Sequence, residues 1–90
     1  MEFEFDQTKS EADRLKHGID FIQAQDIWRD LYALQIQAKS ETEPRFALIG
    51  RMEGRCWSVF FTERGSKIRI ISARRSRPNE EELYEERRAT

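Results

Sequence analysis

The sequence predicts an α+β domain: a small antiparallel sheet with two N-terminal helices on one face and a C-terminal helix. Two segments with helix-capping residues lie within the first 30 residues, and four apolar segments joined by short polar turns follow them. Short connections between successive strands favour an antiparallel meander, and helices segregated to one face of such a sheet define the α+β class. At 90 residues with 38% hydrophobic content, the chain is expected to form one domain, residues 1–90.

The first two elements are expected to be a strand and a helix. Glu2–Phe5 alternates polar and apolar residues, which is the period of a half-buried strand. Asp6 is a preferred N-cap residue and Gly18 a preferred helix terminator, so a helix is predicted over Gln7–His17.

The two N-terminal helices differ in the apolar surface that they offer. In the first helix only Ala12 and Leu15 share an apolar face, so this helix is expected to cover a sheet edge or corner. The second helix is expected to begin at Asp20, with Gln23 three residues later as its capping-box partner. Its apolar stripe is better developed and consists of Phe21, Ala24, Ile27 and Trp28.

Four strands and a final helix are predicted in the rest of the chain. Met52–Gly54 and Glu63–Ser66 have the composition of turns, and Gly65 suits the positive φ of a hairpin. Pro78 suits the first turn of a helix, which is predicted over Asn79–Arg88. The predicted strands are Leu31–Ala38, Arg45–Arg51, Arg55–Thr62 and Lys67–Ala73.

The composition argues against several classes of site. The chain has one cysteine, Cys56, and one histidine, His17, so it has no intrachain disulfide and no pair with zinc-ligand spacing. It contains no Gly-rich phosphate loop, nucleophile elbow or two-metal carboxylate cluster, so neither a metal nor another cofactor is expected. No apolar run approaches the roughly 20 residues of a membrane span, and no secretory signal opens the chain. A soluble cytoplasmic protein is therefore expected.

A basic segment in the last third of the chain is its most informative feature. Between Glu63 and Arg77 it has one acidic and six basic residues, although the net charge of the whole chain is −1. This local excess indicates a polyanion site, in which guanidinium groups hold a phosphate through paired hydrogen bonds. The alternative is a solvated basic face that is neutralised by the glutamates of the last helix, among them Glu80, Glu81 and Glu82.

Alternation along the last strand predicts two faces. Ile68 and Ile70 mark the core face, which leaves Arg69 outward. A strand end or bulge near Ser72 is expected to bring the two arginines that follow to the same opening. The outward set is Lys67, Arg69, Ile71, Ala73 and Arg75, and the core-facing set is Ile68, Ile70, Ser72 and Arg74.

Two further residues have both a structural and a functional interpretation. His17 either ends its helix beside Gly18, where the helix dipole favours a cation, or transfers a proton, because an imidazole can do so near neutral pH. Tyr84 either packs beside Leu83 on the last helix or reaches a phosphate near the basic strand.

Several phrases of the chain resemble the BrnT toxins of type II toxin–antitoxin systems. They stand in the family's order from about residue 3 to residue 84, with Phe5 where the family commonly has tryptophan. Pro78 and Glu80–Glu82 also depart from the mixed charges that usually precede the family's tyrosine. The matching phrases are Phe3–Asp6, Lys9, Leu15–Gly18, Phe21, Ala24, Arg64–Gly65 and Ile68–Arg74.

The resemblance implies a fold similar to the RelE ribonuclease toxins and a metal-independent endoribonuclease that cleaves RNA and arrests translation. It also implies a cognate antitoxin whose ribbon-helix-helix region binds DNA, so that the toxin contacts DNA only through that complex. No membrane partner is implied. On this interpretation the catalytic residues are expected to be Lys16, His17, Arg64, Arg69 and Arg74, and the RNA-binding residues Lys67, Arg75, Arg77 and Tyr84.

The residues fit that chemistry, because RNA can be cleaved by its own 2′-hydroxyl. The protein then has to orient the backbone, stabilise the charge of the transition state and move two protons. A second hypothesis keeps the same electrostatics without turnover. In it the chain is a non-catalytic module that docks RNA or an acidic protein segment on the basic strand.

Overall fold

The computed structural model describes residues 1–90 and has five strands in one mixed sheet, two α-helices and one 3₁₀ helix. The strand order across the sheet is β1-β5-β4-β3-β2. This confirms the α+β class. None of the helices is long and apolar enough to cross a membrane. In chain order the elements are β1 (Glu2–Glu4), α1 (Gln7–His17), the 3₁₀ helix (Gln23–Arg29), β2 (Leu34–Ala38), β3 (Arg45–Met52), β4 (Arg55–Arg64), β5 (Lys67–Arg75) and α2 (Pro78–Ala89).

The prediction of a purely antiparallel sheet is wrong for β1. The strands β2 to β5 form the expected antiparallel meander, but β1 pairs with β5 in parallel, with Phe3 opposite Ile68. The alternation of polar and apolar residues predicts that β1 is a strand but does not predict which strand it pairs with. The helix α1 packs on β5, and this places β1 at the β5 edge of the sheet. The side chain of Phe3 meets Trp28 edge to face at 5.0 Å between ring centroids.

The second helix is a 3₁₀ helix and not an α-helix, but its predicted inward stripe is correct. Phe21, Ala24 and Ile27 are completely buried. The capping box is also present, since Asp20 accepts from the Gln23 amide at 2.7 Å and the Gln23 side chain accepts from the Asp20 amide at 3.0 Å. At seven residues this segment is longer than most 3₁₀ helices, which seldom exceed three or four residues.

Gly50 on β3 allows the 3₁₀ helix to lie close to the sheet. A Cβ at this position would stand 2.7 Å from Ile27 Cγ2, nearer than real contacts allow. The main core lies in this layer, between the sheet and the N-terminal elements. It contains Ile19, Phe21, Ala24, Ile27, Leu48, Trp57, Val59, Phe61, Ile70 and Ala73.

The helix α1 packs with a different face from the one predicted. Leu15 is 75% exposed, and Ala12 is also exposed. The residues that face the sheet and the 3₁₀ segment are polar: Ser10, Asp13 and His17, at helical spacing. Ser10 is buried and its hydroxyl accepts a hydrogen bond from the Phe21 amide at 2.9 Å. Polar contacts therefore hold α1 against the rest of the fold, and for this reason its hydrophobic pattern did not predict its inner face.

The opposite face of the sheet is covered by α2. A smaller core cluster there contains Ile49, Cys56 and Tyr84. The strand β2 begins at Leu34 and not at Leu31, because Asp30 ends the preceding segment by accepting from the Tyr32 amide at 2.9 Å. Apart from the start of the second helix, the other predicted boundaries agree with the structure to within two residues.

Candidate active site

A bulge in β5 determines where the arginines of the basic segment point. Phe60 lies opposite Ser72 and Phe61 lies opposite Ile70, so Ile71 is an extra residue in β5. One extra residue exchanges the two faces of the strand beyond it. The predicted alternation is therefore correct up to Ile70 and wrong after it.

The bulge separates Arg74 from Arg75 instead of bringing them together. Arg74 lies opposite Ser58, on the α2 side of the sheet, and its guanidinium carbon is 5.0 Å from the Phe60 ring centroid. Arg75 lies opposite Trp57, on the α1 side, and its guanidinium carbon is 5.7 Å from the Trp57 ring centroid. The expectation that both reach one opening is wrong.

Arg74 is held by a glutamate of the last helix. Its side chain is 20% exposed and that of Glu80 is 11% exposed, and two hydrogen bonds of 2.8 and 2.9 Å join them. Burial opposes the charge on Glu80, but the hydrogen bonds from Arg74, the Arg77 amide and Ser58 lower the pKa of its carboxyl to about 2. For Arg74 the structure therefore shows the neutralised alternative.

Three further cations of the segment, Arg64, Lys67 and Arg69, lie towards the other end of β5 and also have acidic neighbours. Arg64 and Lys67 lie opposite each other in the strand register, next to the hairpin turn. Lys67 is seven positions before Arg74 along the strand, a distance of roughly 20 Å. The ion pairs there are Arg64 with Glu43 at 3.5 Å, Lys67 with Glu2 at 3.9 Å and Arg69 with Glu4 at 3.5 Å. The structure does not bring these three cations to His17 or to Arg75.

Tyr84 lies on the α2 side and is 2% exposed. Its hydroxyl donates a hydrogen bond of 2.6 Å to Asp30. Burial raises the pKa of Tyr84, and the hydrogen bond to Asp30 raises it further, to about 12. This geometry is that of a packing residue, on the face of the sheet opposite His17 and Arg75.

On the α1 side, His17 and Arg75 line the same cavity, of about 360 Å³. Two of the sequence-predicted residues therefore meet, although they are 58 positions apart in the chain. Lys16 and Arg77 are exposed and do not line the cavity; Arg77 is the N-cap of α2. The lining residues are His17, Gly18, Gln23, Met52, Glu53, Arg55, Trp57 and Arg75.

Three local features of the chain bring these residues together. Gly18 takes a left-handed conformation, with φ of 81°, which ends α1 directly after His17. Glu53 and Gly54 have φ of 53° and 76°, the two positive values of a type I′ hairpin turn. This tight turn between β3 and β4 places Glu53 and Arg55 beside the end of α1, and β5 adds Arg75 from across the ladder.

The four ionisable side chains in this cavity have no hydrogen-bond or ion-pair partner within the protein. His17, Glu53, Arg55 and Arg75 make no side-chain hydrogen bond and no ion pair. The indole Nε1 of Trp57 is buried and also unpaired. The guanidinium groups of Arg55 and Arg75 therefore keep their donors available for an anionic ligand.

Four residues that line the cavity were not predicted from the sequence as site residues: Glu53, Arg55, Gln23 and Trp57. Arg55 and Glu53 flank the glycine of a turn that was itself predicted, and a charged pair at a turn is normally a solvated surface feature. Only the tertiary fold, in which this turn and the end of α1 line one cavity, distinguishes them. No group of three or more His, Cys, Asp or Glu side chains is placed to hold a metal ion.

The geometry defines the class of site: a net cationic, open cavity with one imidazole, two guanidinium groups and one carboxylate. A family model described as the ribonuclease toxin BrnT of type II toxin–antitoxin systems matches residues 5–80, a range that includes every residue lining the cavity. The chain belongs to this BrnT family, and thus to ribonuclease toxins that have an antitoxin partner. Tyr84 falls outside the matched range. A comparison with curated proteins found no match.

Proposed function

We propose that this chain is a single-domain, RelE-like endoribonuclease that cleaves RNA in the cytoplasm without a metal ion, and that the cavity around His17 is its active site. The observation that carries the proposal is the convergence of unpaired His17, Arg55 and Arg75 on one cavity, while Arg64, Arg69 and Arg74 have acidic partners. Groups without internal partners are free to bind a phosphate.

Arg55 and Arg75 hold the scissile phosphate in this mechanism. Guanidinium groups match the geometry of phosphate oxygens and donate two parallel hydrogen bonds. As the 2′-hydroxyl attacks, negative charge accumulates on the phosphorane oxygens, and fixed donors stabilise it more than they stabilise the ground state. Removing one such donor costs about 3 kcal/mol, or roughly a hundredfold in rate.

His17 and Glu53 are the groups of the cavity that can move protons. One proton has to leave the 2′-hydroxyl and one has to reach the departing 5′-oxygen, and a positioned imidazole can do either near neutral pH. A carboxylate is an acceptor, so Glu53 is suited to take the first proton and His17 to deliver the second. Lys16, exposed next to His17 at the end of α1, and Arg77 extend the positive rim along which the RNA backbone runs.

The remaining sequence-predicted cations have a weaker part in this proposal. Arg64, Lys67 and Arg69 lie beyond the reach of the cavity, and their ion pairs of 3.5 to 3.9 Å are partly exposed. Such pairs are weak and can be exchanged for a phosphate. They are therefore candidates for contacts with RNA remote from the cleaved bond, and not for the chemistry itself.

The decisive experiment measures cleavage of a labelled single-stranded RNA of mixed sequence by the purified chain in excess EDTA. The proposal predicts undiminished cleavage and products that end in a 2′,3′-cyclic phosphate, because the 2′-hydroxyl is the nucleophile. Loss of all cleavage in EDTA, restored by a divalent cation, would contradict metal independence. Folded wild-type protein that leaves RNA intact both in solution and on ribosomes would support the non-catalytic module.

His17→Asn tests the role of the imidazole in the same assay. Asparagine keeps polarity and approximate size but cannot exchange a proton near neutral pH. Cleavage is expected to fall roughly a hundredfold and to lose its dependence on pH between 5 and 8. An unchanged rate and pH profile would return His17 to the role of a helix terminator.

The antitoxin, in this proposal, neutralises the toxin by covering the cavity, and its ribbon-helix-helix region binds DNA. The unpaired Arg55 and Arg75 would attract an acidic segment, and steering by charge speeds association at low salt. Co-expression with the neighbouring reading frame should therefore restore growth and intact RNA. The association rate should fall as salt rises, and a rate independent of salt would contradict capture by charge.

A further inference from the structure

A single carboxylate oxygen of Asp13 joins α1 to β5. It accepts a hydrogen bond from the Ala73 amide at 2.9 Å and one from the Ser72 hydroxyl at 3.3 Å. Asp13 is half-buried on the inner face of α1, and no cation is paired with it. Its role is therefore not that of a salt-bridge partner.

The two donors stand directly after the bulge. The extra residue of β5 is Ile71, so Ser72 and Ala73 are the first residues on the exchanged register. The strand β1 pairs with β5 only as far as Arg69, so beyond that residue this edge of β5 is open and its backbone amides need other partners. The bond from the Ala73 amide to Asp13 supplies such a partner and so stabilises the register that sends Arg75 towards the cavity two residues later.

Asp13 is also placed one helical turn before His17. The four-residue spacing puts both side chains on the same face of α1, about 6 Å apart along the helix axis. The same residue therefore fixes the helix that ends in His17 and the strand that presents Arg75. These are the two elements whose relative position determines the width of the cavity.

We propose that Asp13 is a positioning residue: by accepting from Ser72 and Ala73 it locks the β5 bulge and sets the distance between His17 and Arg75. The inference rests on the proposed active site. It requires a hydrogen-bond acceptor of the right length at position 13 and does not require its negative charge. A misplacement of about 1 Å in such a site costs up to a hundredfold in rate.

Three variants separate this role from others. Asp13→Ala removes the acceptor, Asp13→Asn keeps an acceptor oxygen but removes the charge, and Asp6→Ala weakens the same helix elsewhere. Asp6 is the N-cap of α1 and accepts from the Thr8 and Lys9 amides at 2.8 and 3.2 Å, so its loss destabilises α1 without touching the bulge.

The measurement is kcat/KM for RNA cleavage at a temperature where every variant is folded. The expected result is a loss of about ten- to a hundredfold for Asp13→Ala, with Asp13→Asn and Asp6→Ala each within about threefold of the parent. Three outcomes would overturn the proposal: full activity of Asp13→Ala, an equal loss in Asp6→Ala, or an Asp13→Asn as inactive as Asp13→Ala. If Asp13→Ala does not fold, Asp13→Glu, which displaces the acceptor by one methylene, takes its place with the same criteria.

Hydrogen exchange of the Ala73 amide tests the lock without relying on catalysis. This amide is expected to exchange at least about tenfold faster in Asp13→Ala than in the parent or in Asp6→Ala. If the parent protein does not cleave RNA, the proposed function fails while accelerated exchange still supports the lock. If the parent cleaves RNA and exchange at Ala73 is unchanged in Asp13→Ala, the lock fails while the proposed function stands.

Discussion

The guanidinium of Arg74 and the carboxylate of Glu80 form a two-point pair that ties β5 to α2. The same carboxylate accepts from the Ser58 hydroxyl at 3.0 Å and from the Arg77 amide at 2.8 Å. One glutamate thus satisfies four donors at the place where the chain leaves the sheet and starts its last helix. Arg75, the residue that follows Arg74 in β5, has no such partner and faces the cavity on the α1 side of the sheet.

Arg74→Ala is expected to reduce stability more than chemistry. It leaves the Glu80 carboxylate largely buried without its main counter-charge, and breaking a buried pair in this way costs about 3 kcal/mol. Urea denaturation should show this loss of unfolding free energy, and kcat at a temperature where the variant is folded should change little. A stable Arg74→Ala protein that has lost cleavage would instead give Arg74 the catalytic role expected from the sequence.

The pairing of Glu80 also predicts how stability depends on pH. The folded pKa of about 2 lies below the ordinary value of 4.5. The stabilisation that the ionised Glu80 carboxylate provides is therefore complete above the unfolded pKa and is lost as the pH falls through the folded pKa. Unfolding free energies measured from pH 6 to pH 2 should decline across this window, and the decline should be shallower in Glu80→Gln. Parallel curves for the two proteins would mean that other carboxylates dominate the acid transition.

Tyr84→Phe is expected to alter stability and leave cleavage intact. The variant removes the 2.6 Å hydrogen bond to Asp30, which still accepts from the Arg51 and Tyr32 amides. The cost should be about 1 kcal/mol. Because the folded pKa of Tyr84 is raised to about 12, its contribution is present below the ordinary pKa and disappears as the pH rises through 12. Loss of RNA binding in folded Tyr84→Phe would favour the RNA-binding role instead.

The sequence predicted the elements well and the arrangement of side chains less well. Caps and glycines gave the limits of α1 because the Asp6 and Gly18 signals are local. The inner face of α1 was not predicted, since Ser10 and Asp13 face inward for hydrogen bonds to residues far along the chain. Hydrophobic periodicity does not report bonds of this kind.

The candidate site was found in part. His17 stood out because imidazole chemistry is recognisable in a sequence, and Arg75 because it belongs to the basic segment. The choice among the arginines depended on one extra residue, Ile71. A strand end or bulge near Ser72 was expected, but the bulge sends Arg74 and Arg75 to opposite faces and not to one opening. To identify Arg55, one would have to know which turn lines a cavity together with the end of α1, and this is a tertiary relationship.

The most direct test of the account compares cleavage by Arg75→Gln and Arg69→Gln. Both variants remove one guanidinium from β5 and leave a shorter, uncharged amide. Only Arg75 lines the cavity, whereas Arg69 is 3.5 Å from Glu4 on the other side of the sheet. The proposed active site predicts a loss of kcat of roughly a hundredfold for Arg75→Gln and of less than about threefold for Arg69→Gln, with both proteins folded. Full activity of Arg75→Gln beside an inactive Arg69→Gln would contradict the placement of the active site.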